Sequence, residues 1–496
     1  MQRLQTFERR NYLFLFFFSF ALIIFCFDSP AEQKTPSPKT IIEVTDTQFQ
    51  LNEQGKAAKA FNLRFIKPDG SISKEGYFGT KGDLFNVTVV NKSAEPITIH
   101  WHGLIVPNDQ DGVPYVTQTP IKPGESHPYK FKLLQSGTYW MHSHVGFQEQ
   151  QLLAAPFIIY KPGEQNKEQE VILFLEDFTY ADPNILFQKL RSAKMPAMTM
   201  SKSMNMNGKA DFNDIDYDAF LTNRTTLKKP EIKTVSAGKT IRLRIINGSA
   251  STNFQINLGN IAGTLIAVDG EDVQPITAKT FPIGIANRLD IILTIPKQGG
   301  FFPILAQAEG TNKQTGLILV TGIMPIPQLS SIAAQSIGRI DYYQLEKQLH
   351  AIRPLTKKPV TVSLSYSLDG NMQGYQWMLN GQSYPKITPK TIKQGDRVEM
   401  VFTNTTQMSH PMHLHGHVFQ VTEIDGIKLP NGAMRDTVLV QPNSTVKIQF
   451  DADNPGIWLN HCHNLYHFIA GMGTTVEYIG YPKPSFYLEF IGAGKK

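Results

Sequence analysis

The sequence predicts an all-β protein of three consecutive sandwich domains of one type, preceded by an export signal. Three observations carry this: a segment repeated three times at even spacing, a period-two apolar pattern inside each copy, and an apolar run confined to the N-terminus. The repeated segments are "GDLFNVTVVN" from Gly82, "GKTIRLRIIN" from Gly238 and "GDRVEMVFTN" from Gly395, steps of 156 and 157 residues. Each is a Gly, a polar residue, an alternating strand pattern and an Asn nine positions on, at Asn91, Asn247 and Asn404.

The N-terminus comes first in order. "MQRLQTFERR" is basic and "NYLFLFFFSFALIIFCF" is an unbroken apolar run, the two halves of a signal peptide. A spanning helix needs about 20 apolar residues, so cleavage after Ala31 is preferred to an uncleaved anchor. Residues 1–31 are therefore read as the signal, and an exported protein, periplasmic or else anchored by this segment, is expected. Cys26 leaves with the signal. The mature chain then keeps one cysteine, Cys462, and no intramolecular disulfide. A lone thiol in an oxidising compartment is well explained by metal ligation.

The domains follow as residues 41–163, 164–325 and 350–496, with "PIPQLSSIAAQ" (Pro325 to Gln335) opening the linker into the third. A second landmark keeps the same period. "SGTYWMHSH" around Gly137, "GGFFPILAQ" around Gly300 and "PGIWLNHCH" around Gly456 each place an aromatic residue two after the Gly. Frequent β-branched alternation and Gly/Pro/Asn turns make these strands. With 18% charged residues, a net charge of +6 and no Lys/Arg cluster, a nucleic-acid groove is excluded.

Histidine breaks the threefold symmetry. Nine and eleven residues past the repeat Asn stand His100 and His102 in the first domain and His413 and His415 in the third, but Ile256 and Leu258 in the middle. Five and seven past the later Gly stand His142 with His144 and His461 with His463, but Leu305 and Gln307 in the middle. The simplest geometry is a metal site between domains one and three, with domain two as spacer. Residues two apart on a strand share a face, so His461 and His463 point one way and Cys462 the other. Cys462 is joined by His467 and Met472 from the following loop and by His410, whose parity is opposite to that of His413 and His415. Two His, one Cys and a weak Met are the ligands of a blue-copper centre. The eight remaining imidazoles suffice for three more ions. Zinc also takes His and Cys; the axial methionine and the eight-histidine nest favour copper.

In these motifs, "HWHG", "HSH", "HPMHLH" and "HCHNLYHFIAGM", the chain resembles the multicopper oxidases from about residue 41 to 490, most of all the bacterial branch with three cupredoxin domains. The resemblance implies Greek-key cupredoxin sandwiches and four copper ions. It assigns His410, Cys462, His467 and Met472 to the type 1 copper and His100 with His413 to type 2. His102, His142 and His463 fall to one type 3 copper, and His144, His415 and His461 to the other. It further implies one-electron oxidation of a donor, transfer through Cys462, and four-electron reduction of dioxygen to water. Asp111 in "DQDGVP" matches a carboxylate kept near the cluster, with a turn aspartate as the plainer reading. A second acid found in some members is Phe468 here.

The remaining histidines and tryptophans have plain readings: His127 exposed, His350 interdomain, His417 packed or hydrogen-bonded, Trp101 and Trp140 in the core. For the donor, Met195, Met198, Met200, Met204 and Met206 cluster in a polar segment, and thioethers suit cuprous ion; core filling is the alternative. Met408 resembles a methionine that cuprous oxidases carry near their substrate, although the acid two residues earlier is Thr406. Cuprous or ferrous oxidation in detoxification is expected, with laccase-like oxidation of phenols and amines second and copper sequestration third. No obligate protein partner is expected, and a monomer.

Overall fold

The computed structural model describes residues 39–51, 55–73, 75–192 and 212–493. The signal segment and the five methionines from Met195 to Met206 lie outside the described residues. No helix among the described residues is long and apolar enough to cross a membrane.

Six β-sheets, two per domain, form the described structure. In each domain the opening strand pairs in parallel with the repeated segment. Thr40–Phe49 lies beside Leu84–Asn91, Gln169–Phe178 beside Thr240–Asn247, and Val362–Asn371 beside Arg397–Asn404. The Gly that opens each repeat donates its N–H to the residue just past the strand paired with that repeat, Gly82 to Leu133 O, Gly238 to Ile295 O and Gly395 to Ala452 O, at 2.8, 3.0 and 2.8 Å. All three have positive φ, where a side chain would be strained.

The repeat Asn does matching work in all three copies. Its Oδ1 accepts the backbone N–H two residues on (Ser93, Ser249, Thr406), and its Nδ2 donates to a carbonyl further round the turn (Glu95, Thr252, Met408). This Asx turn sets where the next strand starts. In the outer domains that strand carries the imidazoles.

The copies differ in what their faces meet. Leu84–Asn91 alternates, with Phe85, Val87 and Val89 buried in the sandwich. Thr240–Asn247 is buried on both faces past its first residue. Its polar side chains Arg242 and Arg244 close on Asp290, and Arg244 Nη1 also donates to Thr138 Oγ1 of the first domain at 2.8 Å. Ile256, at a position where the outer domains carry histidine, is fully buried core, as is Leu258. Apolar residues fill there the space that imidazoles occupy elsewhere.

Candidate metal centre

Four short strands position the ligand candidates. His100–His102 pairs with Gly137–His142, putting His100 opposite His142. His410–Leu414 pairs with Ile457–Cys462, putting Met412 opposite Cys462 and His413 opposite His461. Directly opposed residues in an antiparallel pair share a face. His413 and His461 therefore face one side and Cys462 the other, with His410 on the cysteine side because it is three residues from His413. His144, His415 and His463 follow at or just past the strand ends.

On the cysteine side, three atoms converge. Nδ1 of His410 and Nδ1 of His467 lie 3.1 Å apart, and Cys462 Sγ lies 3.6 and 3.7 Å from them. A point central to that triangle is about 2 Å from each corner, the length of a metal–nitrogen or metal–sulfur bond. His467 sits on the short helix Leu465–Ile469, whose N-cap Asn464 accepts from the N–H of Tyr466 and His467. Met472 is fully buried and returns the chain to the site: its carbonyl accepts from Cys462 N–H and its N–H donates to His467 O, both at 3.0 Å. His410 Nε2–H donates to Thr406 Oγ1 at 2.8 Å, which leaves Nδ1 facing the sulfur. The Thr406 hydroxyl in turn donates to Asn404 Oδ1. Trp377 lies against the His467 ring at 4.2 Å.

On the opposite side, eight imidazoles from two domains form one nest. Ligand nitrogens of His100, His102 and His413, of His102, His142 and His463, and of His144, His415 and His461 come within 4.8 Å of one another in each set. One ring nitrogen in most of them is already held. His100 Nδ1–H donates to Asp111 O at 2.9 Å, His413 Nδ1–H to Asp436 O at 2.8 Å and His102 Nε2–H to Asp436 Oδ1 at 3.1 Å. His461 Nδ1–H donates to Cys462 O and His415 Nδ1–H to Asp111 Oδ2, both at 2.9 Å.

The other nitrogens are left bare. His100 Nε2, His102 Nδ1, His144 Nε2 and His413 Nε2 are buried without a hydrogen-bond partner. His415 Nε2 and His461 Nε2 face each other at 3.2 Å, and His142 Nε2 faces His463 Nε2 at 3.3 Å. Burial, reinforced by neighbouring imidazoles, pushes His102, His142, His144, His413, His415 and His463 well below the ordinary histidine range. Burial likewise takes His461 down to about 3. Neutral imidazoles thus aim lone pairs at one another, and each unmet buried acceptor costs about 1–3 kcal/mol. Cations seated among them remove that cost, so the donor set fits metal ions. The thiol fits in the same sense: burial pushes Cys462 far above its usual value, and a metal is what makes a buried thiolate tenable.

Asp111 is fully buried between His100 and His415, its Oδ1 lying 3.2 Å from His100 Nδ1. Phe468 packs its ring 4.5 Å from that of His461 and supplies no acid. Four residues outside the motif pattern also touch the candidate ligands or their supports. Glu149 Oε2 lies 2.6 Å from His142 Nδ1; burial drives this carboxyl well above its usual range, and Oε1 has no partner. Seven residues past His142 on the same loop, it was open to local reading. Asp214 Oδ2 lies 3.1 Å from His467 Nε2, although the N–H does not point squarely at it. Asp436 supports His102 and His413, and Arg288 grips Asp436. Asp214, Asp436 and Arg288 lie far in sequence from the imidazoles they serve, so no spacing announces them. The middle domain is accordingly more than a spacer.

Of the residues with plain readings, Trp101 packs with Phe85 and Tyr129 in the core. Trp140, also fully buried, stacks on His142 at 4.3 Å and so touches the nest. His417 bonds His415 O and Tyr478 Oη. His350 is exposed. His127 is half-buried rather than exposed, because its ring packs 4.7 Å from Tyr129. Met408 is buried two residues before His410. A cavity of about 40 Å³ is lined in part by His142, His144, Glu149, His461 and Phe468.

Comparison with known proteins points to one family. Three family models, each described as multicopper oxidase, match residues 54–164, 169–323 and 357–479. The chain is 36% identical over 415 residues to the multicopper oxidase MmcO of Mycobacterium tuberculosis, covering 81% of this chain and 80% of that protein. It is 26% identical over 528 residues to copper resistance protein A of Escherichia coli, covering 80% and 86%. Among solved structures, Fet3p, a multicopper oxidase that functions in iron import, superposes with a TM-score of 0.73 at 20% identity, covering 91% of this chain and 94% of that one. The laccase of Botrytis aclada gives 0.71 at 23%, covering 92% and 91%. At those identities the two structures speak for the fold alone.

Proposed function

The chain belongs to the multicopper oxidase family, and we propose that its donor is a metal ion, cuprous or ferrous, oxidised at the Cys462 side while dioxygen is reduced in the imidazole nest. Membership makes it a copper-binding oxidoreductase with oxygen as acceptor. The finer reading has four copper ions. His410, Cys462, His467 and Met472 hold one; His100 and His413 hold the second; His102, His142 and His463 hold the third; His144, His415 and His461 hold the fourth. The chemistry that copper supplies when bound there is one-electron oxidation of the donor and four-electron reduction of dioxygen to water.

The observation that carries this reading is the alternation at His461, Cys462 and His463. Three consecutive residues, the last two of one strand and the first residue past its end, serve both sites, so the connection between them is covalent and short. The chain's own groups do the rest. Asp111 orients His100 and His415 and stands where protons must be managed. Seven of the eight imidazoles are buried and His144 is half-buried, which keeps bulk water off the nest, and the small cavity beside Glu149 limits what reaches it.

For the donor, a carboxylate oxygen of Asp214 lies 3.1 Å from the outer nitrogen of His467, and its negative charge favours a cation. Met408 and the methionines from Met195 to Met206 add soft sulfur. The name of copper resistance protein A supports a role in copper resistance, and the N-terminal export signal read from the sequence supports a site of action outside the cytoplasm. Laccase-like oxidation of phenols and amines is the second reading.

Oxygen uptake with cuprous, ferrous and phenolic donors, compared side by side, tests the choice. Metal ions are expected to lead in the native protein. Asp214→Asn should lower their kcat/KM roughly 10- to 100-fold, the worth of a charged hydrogen bond, with a smaller effect on phenols. Replacing Met195, Met198, Met200, Met204 and Met206 by Ser should remove cuprous oxidation and spare phenol turnover. Phenols outpacing both ions in the native protein would hand the assignment to the laccase reading.

A further inference from the structure

Asp436 is the point at which all three domains meet. Its carboxylate holds His102 of the first domain and its backbone carbonyl holds His413 of the third. Arg288 of the middle domain reaches in to grip the same carboxylate, donating from Nη1 to Oδ1 at 2.9 Å and from Nη2 to Oδ2. The guanidinium has no freedom to turn. Nε donates to Thr138 O at 3.1 Å, Nη1 to Ala286 O at 2.9 Å and Nη2 to Asp269 O at 3.1 Å, so each of its three nitrogens has a backbone carbonyl as well. Gly103, directly after His102, leaves the room for this. A β-carbon there would collide with the Asp436 carboxylate and approach Arg288 Nη2 to 2.7 Å.

Behind Arg288 the charges alternate outward. Asp269 accepts from Arg288 N–H at 2.8 Å and from Arg435 Nη1 at 2.9 Å, and Arg435 Nη2 lies 2.7 Å from Glu346. This buried row contains three carboxylates and two guanidiniums, with a carboxylate at its inner end against the nest. An unbalanced buried negative charge is unfavourable unless a cation lies nearby. Copper ions among the imidazoles would provide one. A carboxylate that fixes the tautomer and rotation of a ligating imidazole also sets how strongly that ligand binds.

We propose that Arg288 and Asp436 are positioning residues for the copper cluster, so that the middle domain, from which no ligand is assigned, governs how tightly the other two hold it. Asp436 keeps His102 with Nδ1 toward the nest and His413 with Nε2 toward it. Arg288 pins the Asp436 carboxylate, which would otherwise be free to swing toward the metal or to let His102 rotate. The proposal rests on the ligand roles given above for His102 and His413.

The test compares Arg288→Met, Arg288→Lys and Asp436→Asn with Arg242→Met. Arg242 is a second buried arginine of the same domain, whose carboxylate partners are Asp290 and Glu164. Each protein is purified with copper and dialysed against graded chelator. Copper retained per chain, blue absorption and the paramagnetic resonance of non-blue copper are read, with calorimetry as the folding check. Arg288→Met and Asp436→Asn should keep the blue absorption but release non-blue copper at about 10- to 100-fold lower chelator, the usual effect of losing such a support. Arg288→Lys, which keeps the charge and loses the fork, should fall between. Native-like retention and resonance in Asp436→Asn overturns the proposal, and this near-isosteric variant decides the matter if Arg288→Met does not fold. Equal loss from Arg242→Met also overturns it, since the effect would then be general destabilisation. A native protein without non-blue copper would sink the ligand assignment itself, and is told apart by failing before any variant is made.

Discussion

Cys462 shows most directly how one residue couples burial to chemistry. Its environment raises the thiol pKa, yet ligation requires the thiolate, so metal binding must expel a proton that burial holds in place. Cys462→Ser should therefore be colourless while retaining the copper of the imidazole nest, as absorption and copper content will show; persisting blue colour would remove Cys462 from the site. The thiol and its flanking imidazoles were legible because they sit at fixed offsets in one short segment, whereas Asp111 entered only through the family resemblance. Thr406 was legible only as a mismatch. Its hydroxyl orients His410, a role that depends on the Asx turn from Asn404 and has no spacing signature of its own.

At the scale of elements, the repeat Asn and the strand that follows it form one device. The turn decides the register, and a slip of one residue would send every imidazole to the wrong face. Asn404 donates to Met408 O at 2.8 Å and Val440 O at 3.1 Å and receives Thr406 N–H. Asn404→Ala should cost about 2–4 kcal/mol and weaken the blue absorption, because His410 lies at the start of the affected strand. Asn247→Ala breaks the matching turn in the middle domain and should lower the unfolding temperature while leaving the colour intact. Equal bleaching in both variants would mean that stability, not register, sets the site. Period-two patterning exposed these strands in the sequence. It did not expose that the middle copy buries both faces of Thr240–Asn247, because the partners of Arg242 and Arg244, Asp290 and Thr138, are brought against them from elsewhere in the fold.

For the whole molecule, the nest is a potential fastener. Its imidazoles come from the first and third domains, so anything bound among them ties those domains together and stabilises the folded form by mass action. Calorimetry of the copper-loaded protein should show a higher unfolding temperature than the copper-free protein, and the copper-free trace should broaden or split as domains one and three uncouple. Superimposable traces would mean that the seam holds without metal. The same division has a consequence in time. Roughly 270 residues separate His144 from His410, which at about 5–20 residues per second takes a ribosome on the order of 10–60 s. For that interval a newly made first domain presents four imidazoles with nothing opposite them, open to whichever divalent ion the surroundings offer. Correct filling has to wait until the strand Ile457–Cys462 and the His463 that follows it have been made.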